Sequence, residues 1–330
     1  MTVRVAVVGA GGWGRQHARI FSGRSDCELV AIAARTPSSA AERAAEYRTA
    51  PYTDLGAMVK ETRPDLVTVC LPNEGHFEPT LALIDAGANL LVEKPLVFDL
   101  AEADELLRRA EDRGIFFGIN FNHRYAEPVV RAQRAIQDGV LGELLFLTWR
   151  FGGEANYGES PHANLIETQC HGFDMLEHLG GPIRSIAAQM TRKTYGAYST
   201  VALALGFEND AVGTILGSYD SSYAYPDSQL IEINGTAGRL TIHDTVRRLT
   251  LSRAGDETSS VWEAGYFNDE ARSFHSTFDR HVDHVITALQ TGAPPPIPAT
   301  VGRRALQLAQ TAIASYERRT RVDTEEFAPA

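Results

Sequence analysis

The sequence predicts a two-domain α/β fold, with a doubly wound parallel sheet first and an α/β domain with an open, mostly antiparallel sheet after it. The first third of the chain contains five almost continuous apolar segments, VRVAVVGA, ELVAIAA, DLVTVCL, NLLVEKPL and IFFGINF, separated by helix-length stretches. Such strands suit a sheet covered on both faces, and repeated strand-helix-strand units make that sheet parallel. We expect this domain to span residues 1–123.

From residue 143 onward, apolar and polar residues alternate within longer segments. This alternation, with Gly, Asn and Asp between segments, predicts an antiparallel sheet with one exposed face. The strand candidates are GELLFLTWRF, RSIAAQMT, VALALGF, AVGTILGSY, QLIEING, GRLTIHD and RRLTLSR. Two helical stretches, LIETQCHGFDMLEHL and SFHSTFDRHVDHVITALQ, flank most of them, and APPPIP introduces a last helix at about 300–318 that can pack back on the first domain. The second domain is placed at 124–330.

Composition narrows the classes of function. The 330 residues are 44% hydrophobic and 22% charged, as in globular proteins, and the net charge of -11 argues against a nucleic-acid partner. No apolar stretch is long enough to cross a bilayer, and the first residues run into a strand without a signal-peptide pattern, so we expect a cytoplasmic protein that binds a small molecule. Cys27, Cys70 and Cys170 are widely spaced and predict neither disulfides nor a thiolate metal site.

A glycine-rich loop follows the first strand candidate and opens a helical pattern, which is the context that makes such a loop meaningful. Gly9 permits a tight turn, Gly11 lets the backbone approach a pyrophosphate, and Gly14 lets the helix pack on the strand. This is the Rossmann fingerprint for a dinucleotide at a helix N-terminus. The residues predicted to bind the cofactor here are Gly9, Gly11, Gly12, Trp13 and Gly14.

The end of the second strand bears on the choice between NAD and NADP. An acidic residue usually stands there to hold the ribose hydroxyls of NAD, but this chain has Ala34 followed by Arg35 and Thr36. A guanidinium and a hydroxyl favour the 2′-phosphate of NADP. We therefore predict that NADP binds more tightly than NAD, with Arg35 and Thr36 as its ligands.

Four further motifs, in order, carry a resemblance to a known family. LPNEGH at 71–76, VEKP at 92–95, NFNHRY at 120–125 and HGFD at 171–174 resemble the successive motifs of the glucose-fructose oxidoreductase, inositol dehydrogenase and rhizopine-catabolism family, Gfo/Idh/MocA. The resemblance covers almost the whole chain. It implies a Rossmann domain followed by an α/β domain whose open sheet often forms a homodimer or homotetramer interface. It also implies NAD(P)-dependent oxidation or reduction of sugars, inositols and related polyols.

Lys94 is the first candidate catalytic residue. It directly follows an apolar strand, at the edge of a parallel sheet where ligands bind, and proline fixes the turn after it. Oxidation of a hydroxyl needs a base for the proton while hydride leaves, which a confined lysine can supply; an exposed lysine at a strand end is the alternative. We expect Lys94 to contact substrate and cofactor, and Glu93 to face the cofactor or to orient the lysine.

His171 and Asp174 are three residues apart in a helical pattern and share a face, so the carboxylate can hold the imidazole or pair elsewhere. The resemblance implies that His171 binds the substrate hydroxyl and shares proton transfer with Lys94. Many sugar and inositol dehydrogenases of the family carry an aspartate four residues earlier, where this chain has Glu167. We include Glu167 among the catalytic candidates, although its longer reach bears on which substrates fit.

Other candidates border these positions. Leu71, Pro72, Asn73 and His76 follow the third strand candidate and should line the nicotinamide ribose and the rim of the active site. Asn122 lies near the domain junction, as a cofactor ligand or a loop hydrogen-bonder.

Arg124 can bind substrate or form an interdomain ion pair. Trp149 and Arg150, at the end of the first strand of the second domain, and Asn164, just before Glu167, are substrate-pocket candidates. His275, His281 and His284 invite a metal hypothesis, but we assign them to the solvated side of an amphipathic helix and predict no metal.

These observations favour an NAD(P)-dependent oxidoreductase acting on the CH–OH group of a sugar, inositol or related polyol. Two alternatives stay open. One is a non-catalytic protein of the same fold that senses a dinucleotide or sugar. The other is an enzyme acting on a non-sugar ketone or dihydrodiol.

Overall fold

A computed structural model describes residues 2–153, 160–193 and 196–329. The strands are β1 (Val3–Val8), β2 (Cys27–Ala33), β3 (Ala50–Tyr52), β4 (Leu66–Val69), β5 (Leu90–Glu93), β6 (Phe117–Asn120), β7 (Leu144–Gly152), β8 (Ile183–Thr191), β9 (Thr200–Phe207), β10 (Val212–Ser218), β11 (Gln229–Gly235), β12 (Gly238–His243), β13 (Arg248–Arg253), β14 (Ser259–Glu263) and β15 (Val322–Asp323). The helices are α1 (Gly12–Ser22), α2 (Pro37–Tyr47), α3 (Leu55–Thr62), α4 (Phe77–Asp85), α5 (Leu100–Arg113), α6 (Glu127–Gln137), α7 (Cys170–Gly180), α8 (Asp269–Arg272), α9 (Ser276–Thr291) and α10 (Thr300–Arg318).

The chain forms two compact units. Unit 1 comprises Met1–Phe121 and Phe278–Arg303, and unit 2 comprises Asn122–Thr277 and Arg304–Ala330. The chain first passes from unit 1 to unit 2 after Phe121, two residues before the boundary expected from the sequence. Residues 278–303, which the sequence assigned to the second domain, lie in unit 1, whereas most of α10 lies in unit 2.

Unit 1 is built on a parallel sheet with the strand order β3-β2-β1-β4-β5-β6. This confirms the doubly wound sheet, with β3 as an additional strand that the sequence did not indicate. It is three residues long and contains Pro51, which is tolerated because β3 lies at the sheet edge.

The register of this sheet brings the ends of its central strands to one level. Val8 lies opposite Val69, and Val69 lies opposite Val92. Val92 in turn lies opposite Ile119. The residues that follow β1, β4 and β5 therefore emerge at the same carboxyl edge, where parallel α/β sheets bind ligands.

Unit 2 contains a sheet in the order β14-β13-β12-β11-β7-β10-β9-β8-β15. Its neighbouring strands pair antiparallel except β7 and β10, which are parallel and joined by a long connection rather than a hairpin. The open, mostly antiparallel sheet predicted from the sequence is confirmed. Its outer strands β14 and β15 were missed.

The two faces of this sheet differ in burial. On β7, Leu147 and Trp149 are fully buried. They face α7, because a Cβ on Gly172 would come 2.6 Å from the Trp149 Nε1 atom and one on Gly180 would come 2.7 Å from Leu147. Arg150, with the opposite strand parity, is exposed. In the described ranges, no helix has the length and apolar character that a membrane span requires.

Candidate functional site

The glycine loop has the geometry expected of a phosphate cradle. Gly9 has a φ of +121°, and a Cβ there would lie 2.2 Å from the Cys70 carbonyl oxygen, while a Cβ on Gly14 would lie 1.9 Å from the Gly9 oxygen. A Cβ on Gly11 or Gly12 would meet open space instead. Gly11 is the N-cap of α1 and supplies no capping side chain. Two glycines thus permit tight packing and two leave room for a diphosphate, so the loop fits a dinucleotide.

The end of β2 carries the residues predicted to choose between cofactors. Arg35 is exposed. The Thr36 hydroxyl caps α2, accepting from the Ser39 amide at 3.3 Å and donating to the Ser39 hydroxyl at 2.8 Å. Since that hydroxyl is already engaged, Arg35 is the better placed of the two to bind a phosphate. Arg43, which the sequence did not single out, donates from α2 to the Ala10 carbonyl at 3.1 Å and so also reaches the glycine loop.

The rim after β4 is partly structural. Pro72 is exposed and Asn73 half-buried in a 3₁₀ turn, which leaves both at the surface expected for them. His76 is only 1% exposed. Its Nδ1 lies 2.8 Å from the Pro95 oxygen and its Nε2 lies 3.0 Å from the Leu71 oxygen. Both ring nitrogens lie beside backbone carbonyl oxygens and the nitrogen that carries the proton donates, so His76 connects the two turns, and its place at the nicotinamide ribose stays a prediction. Burial lowers the pKa of His76 despite these two acceptors.

Lys94 follows β5 at the carboxyl edge of the sheet and is half-buried. Glu93, before it, is 4% exposed. The Glu93 Oε1 atom accepts hydrogen bonds from His17 Nε2 at 2.8 Å and Asn120 Nδ2 at 2.7 Å. The Glu93 carboxylate is thus held by two protein donors, and its role toward the cofactor or the lysine stays a prediction.

His17 of α1 completes a buried cluster with Cys70 and Glu93. Burial alone would lower the pKa of His17, but the charge and hydrogen bonding of Cys70 and Glu93 raise it to about 10. Burial would likewise raise the pKa of Glu93, yet the His17 hydrogen bond and charge bring it below its ordinary value. Each of the three residues offers one possible metal-ligand atom, and these atoms lie within 4.8 Å of one another. Two of them, on His17 and Glu93, are already joined by a 2.8 Å hydrogen bond, so the cluster is organised as a hydrogen-bonded ion pair.

His281 corrects the interpretation of His275, His281 and His284 as solvated. His275 and His284 are exposed, but His281 is 1% exposed and its Nδ1 lies 2.7 Å from Asn120 Oδ1. His281 lies three residues after Phe278 and four before Val285, which are both buried, so it belongs to the apolar face of α9 rather than to the polar one.

In unit 2, His171 is 7% exposed on α7 and stacks on His123, with ring centroids 3.9 Å apart and planes 7° from parallel. His123 also contacts Phe274 edge-on and lies 3.4 Å from Gln229 Nε2. In the sequence, His123 stands out only as part of the NFNHRY motif. Its position between two residues already singled out is the signal that could have identified it.

Asp174 pairs with Arg124 rather than with His171. Arg124 Nε lies 3.1 and 3.0 Å from the two carboxylate oxygens, and Nη2 lies 2.5 Å from Oδ1. The Asp174 side chain is fully buried and that of Arg124 is 19% exposed. Burial raises the pKa of Asp174, and the Arg124 charge opposes that change. Arg124 therefore forms an ion pair inside unit 2, which leaves less of its guanidinium for substrate.

A π-helical turn, Asn164–Thr168, precedes α7 and carries Glu167, which is 9% exposed. Such turns are frequent at functional sites. Trp149 donates to Gln169 Oε1 at 2.9 Å, and Gln169 Nε2 donates to Asn164 Oδ1 at 3.1 Å. Asn164 also donates to the Ser199 carbonyl at 2.9 Å. Trp149 and Asn164, proposed as pocket residues, thus support the turn that holds Glu167.

Two more candidates have structural partners. Arg150 donates to the Asp227 carbonyl at 2.7 Å from the face of β7 opposite Trp149, since alternate residues of a strand point to opposite faces. Its predicted substrate contact is therefore not on the side that faces α7. Asn122 is 3% exposed and donates to Thr277 Oγ1 at 2.7 Å, as the hydrogen-bonding alternative predicted.

Together, the parallel sheet, the glycine loop after β1 and the lysine after β5 define a dinucleotide-binding protein of the Rossmann class. Residues 3–121 match the model of an oxidoreductase family with an NAD-binding Rossmann fold, GFO_IDH_MocA, and residues 129–241 match the GFO/IDH/MocA C-terminal domain. The chain belongs to this family of oxidoreductases, which confirms the resemblance noted in the sequence.

Several dehydrogenases are similar over part or all of the chain. Inositol 2-dehydrogenase of Rhizobium meliloti (strain 1021) is 25% identical, over 98% of this chain and 99% of that protein. D-glucoside 3-dehydrogenase of Escherichia coli (strain K12) is 35% identical over 45% of this chain and 43% of its own length. The structure of a levoglucosan dehydrogenase with NADH and levoglucosan has a TM-score of 0.88 at 19% identity, covering 98% of this chain and all of that one. At that identity the likeness concerns the fold.

Proposed function

We propose that this protein is an NAD(P)-dependent dehydrogenase or reductase acting on a ring hydroxyl or keto carbon of a sugar, inositol or related polyol. The observation that carries the proposal is the position of Lys94 at the same carboxyl edge as the glycine loop, in a sheet whose register aligns the ends of β1, β4 and β5. That edge is where a dinucleotide and its substrate meet in parallel α/β folds. The family relationship and the named relatives support the same chemistry.

The glycine loop would hold the diphosphate, and the bound nicotinamide would supply a hydride acceptor or donor. Lys94 Nζ takes the proton of the substrate hydroxyl during oxidation and returns it during reduction. We assign His171, as the resemblance implies, to binding of the substrate hydroxyl. Glu167, held on the π-helical turn, supplies a carboxylate for orienting substrate.

The test is absorbance at the nicotinamide wavelength with NAD⁺ and NADP⁺ against myo-inositol, a D-glucoside and levoglucosan. We expect sustained turnover with at least one pair. Lys94→Met should keep dinucleotide affinity and lose about 10²–10⁴-fold in kcat, the usual contribution of a general base. Lys60→Met, which removes an exposed lysine of α3, is the matched control and should behave as wild type. Undiminished turnover in Lys94→Met would remove the lysine from the mechanism, and dinucleotide binding without any turnover would favour the sensor.

We also propose that NADP is preferred over NAD. Two features support this preference: Ala34 occupies the position where an acidic residue would bind the ribose of NAD, and the neighbouring Arg35 is exposed. Arg35→Ala should weaken NADP about tenfold to a hundredfold, the worth of a charge-assisted hydrogen bond, and leave NAD nearly unchanged. Fluorescence titration with both cofactors checks this, and the NAD affinity of the same variant is the internal control. Equal affinities in wild type would contradict the preference.

Finally, we propose that the exposed face of the unit 2 sheet joins copies of this chain. Apolar side chains lie together there: Val212 is 58% exposed, Leu216 47% and Phe146 37%. Val212 is paired with Phe146 in the β7–β10 register. Contiguous exposed apolar residues on a regular sheet are typical of an interaction surface, and an isologous contact between two such faces would bury them.

A further inference from the structure

One buried hydrogen-bonded network in unit 1 joins four separate elements. It comprises His17 on α1, Glu93 on β5, Asn120 on β6 and His281 on α9, each no more than 4% exposed. Glu93 lies opposite Asn120 in the sheet register, so two neighbouring strand ends are tied side chain to side chain. Lys94, the proposed base, is the next residue after Glu93, so the network holds the residue directly before the base.

The chemistry of the donors fixes the direction of each hydrogen bond. An ionised carboxylate only accepts, so His17 Nε2 and the Asn120 amide nitrogen both donate to Glu93 Oε1. With its nitrogen committed, Asn120 presents Oδ1 to His281, and His281 Nδ1 must donate across 2.7 Å. Glu93 fixes the orientation of the Asn120 amide, because a flipped amide would turn its oxygen toward the carboxylate, and His281 holds the amide oxygen from the other side.

The helix that carries His281 is firmly attached to unit 1. Trp13, next to the glycine loop, stacks on Phe278 with centroids 5.2 Å apart. Arg19 of α1 forms an ion pair with Asp279 at 2.9 Å. His281 comes 161 residues after Asn120 in the chain, so the segment that returns to unit 1 closes the network. Because α9 is held by these contacts, His281 can in turn hold Asn120 at the end of β6 in place.

We propose that His281 is a positioning residue for Lys94: through Asn120 it holds the Glu93 carboxylate, and so fixes the direction in which the chain leaves β5 at the lysine. Its effect on turnover rests on the function proposed above. Its effect on the placement of Lys94 does not, because that can be measured without a substrate.

The experiment compares two amide replacements of His281. Asn places its amide nitrogen near the position of Nδ1 and can donate to Asn120, whereas Gln carries its amide to the position of Nε2. Lys94 reactivity is followed by peptide mass spectrometry during acetylation with an N-hydroxysuccinimide ester, with Lys60 as the internal reference. His284→Gln, on the exposed side of the same helix, is the control variant.

We expect His281→Gln to raise the relative acetylation rate of Lys94 several-fold, and His281→Asn and His284→Gln to match wild type. With an active substrate, His281→Gln should lower kcat about 10–100-fold, as a reacting group displaced by roughly an ångström does, while the dissociation constant of the dinucleotide stays nearly constant. A merely structural role would instead weaken dinucleotide binding and kcat together. Lys94 acetylation at the wild-type rate in a folded His281→Gln protein would overturn the proposal. If wild type turns over no substrate, the proposed function fails, but the acetylation rates still decide the role of His281.

Discussion

The two units stabilise a buried carboxylate in different ways. In unit 1, Glu93 receives donors from α1 and β6, and α9 supports the second of them through His281. In unit 2, the partner of Asp174 within the described ranges is a single guanidinium, that of Arg124, which makes three contacts with it. A carboxylate with several partners tolerates partial loss, whereas one with a single partner is left uncompensated when that partner is removed.

This difference corresponds to what each carboxylate adjoins. Glu93 precedes Lys94 at the ligand-binding edge of a sheet. The position of the lysine matters there, and several elements of unit 1 hold the residue before it. Asp174 lies one helical turn beyond His171 on α7, and its ion pair joins α7 to the turn that contains Arg124. The contrast predicts that replacing one partner of Glu93 changes the site in unit 1 only partly. Replacing the partner of Asp174 in unit 2 should mainly lower the free energy of unfolding.

The largest expected effect is that of Arg124→Met. It leaves a fully buried carboxylate without its counter-charge, and we expect it to lower the free energy of unfolding by about 3–5 kcal/mol. Urea unfolding measures the loss, and hydrogen exchange in peptides from α7 should localise it to unit 2.

The matched control is Arg124→Met combined with Asp174→Leu. Removing both charges abolishes the desolvation penalty, so the double variant should be more stable than the single one. If both variants lose the same stability, the pair contributes packing rather than charge, and the contrast with Glu93 no longer holds.

The sequence predicted most of the architecture because the signals are local. The five parallel strands it indicated form continuous apolar runs, and the glycine loop directly follows the first of them. Four of the seven later strands, β9 to β12, alternate in burial as predicted, whereas β7, β8 and β13 do so only in part. Of the three missed strands, β3 and β15 have three and two residues, too few for a periodicity to show. The third, β14, has five residues but is almost entirely exposed, so no buried face marks it.

The site was less predictable, because its partners are distant in sequence. Lys94 and His171 were indicated by motifs, but neither the pairing of Asn120 with His281 nor the stack of His123 on His171 has a local signal. Trp149, Asn164 and His76 stood at positions typical of a pocket, yet their polar atoms bind protein groups. Sequence position identifies the edge at which a residue emerges, whereas hydrogen-bond partners decide whether it faces a ligand.

A smaller effect should appear in the pH dependence of stability. The folded-state pKa of His17, about 10, lies above its ordinary value of 6.5. Protonated His17 therefore stabilises the fold fully below about pH 6.5, and this contribution disappears as pH rises through about 10. The loss should be a few kcal/mol, because each unit between the folded and the ordinary pKa is worth about 1.4 kcal/mol.

His17→Gln should flatten this part of the stability profile, because the amide does not titrate. The measurement is urea unfolding between about pH 7 and pH 10, with His284→Gln as a control that should retain the wild-type slope. If the stability of wild type and of His17→Gln changed with pH in parallel, a charged imidazole would not contribute to holding Glu93. His17 and Glu93 would then form a neutral hydrogen bond rather than an ion pair.

The smallest effect on folding is expected at the exposed face of the unit 2 sheet. Leu216 is 47% exposed on β10, so Leu216→Glu should change the free energy of unfolding of the isolated chain by no more than about 0.5 kcal/mol. It should nevertheless dissociate the proposed oligomer, because an isologous contact would place two such carboxylates in one buried interface. Light scattering coupled to size-exclusion chromatography gives the mass. Thr241→Glu, on β12 of the same sheet and half-buried, tests whether any added charge suffices. A monomeric wild type, or a Leu216→Glu protein of unchanged oligomeric mass, would show that this apolar face does not join copies of the chain, and that unit 2 exposes it for another reason.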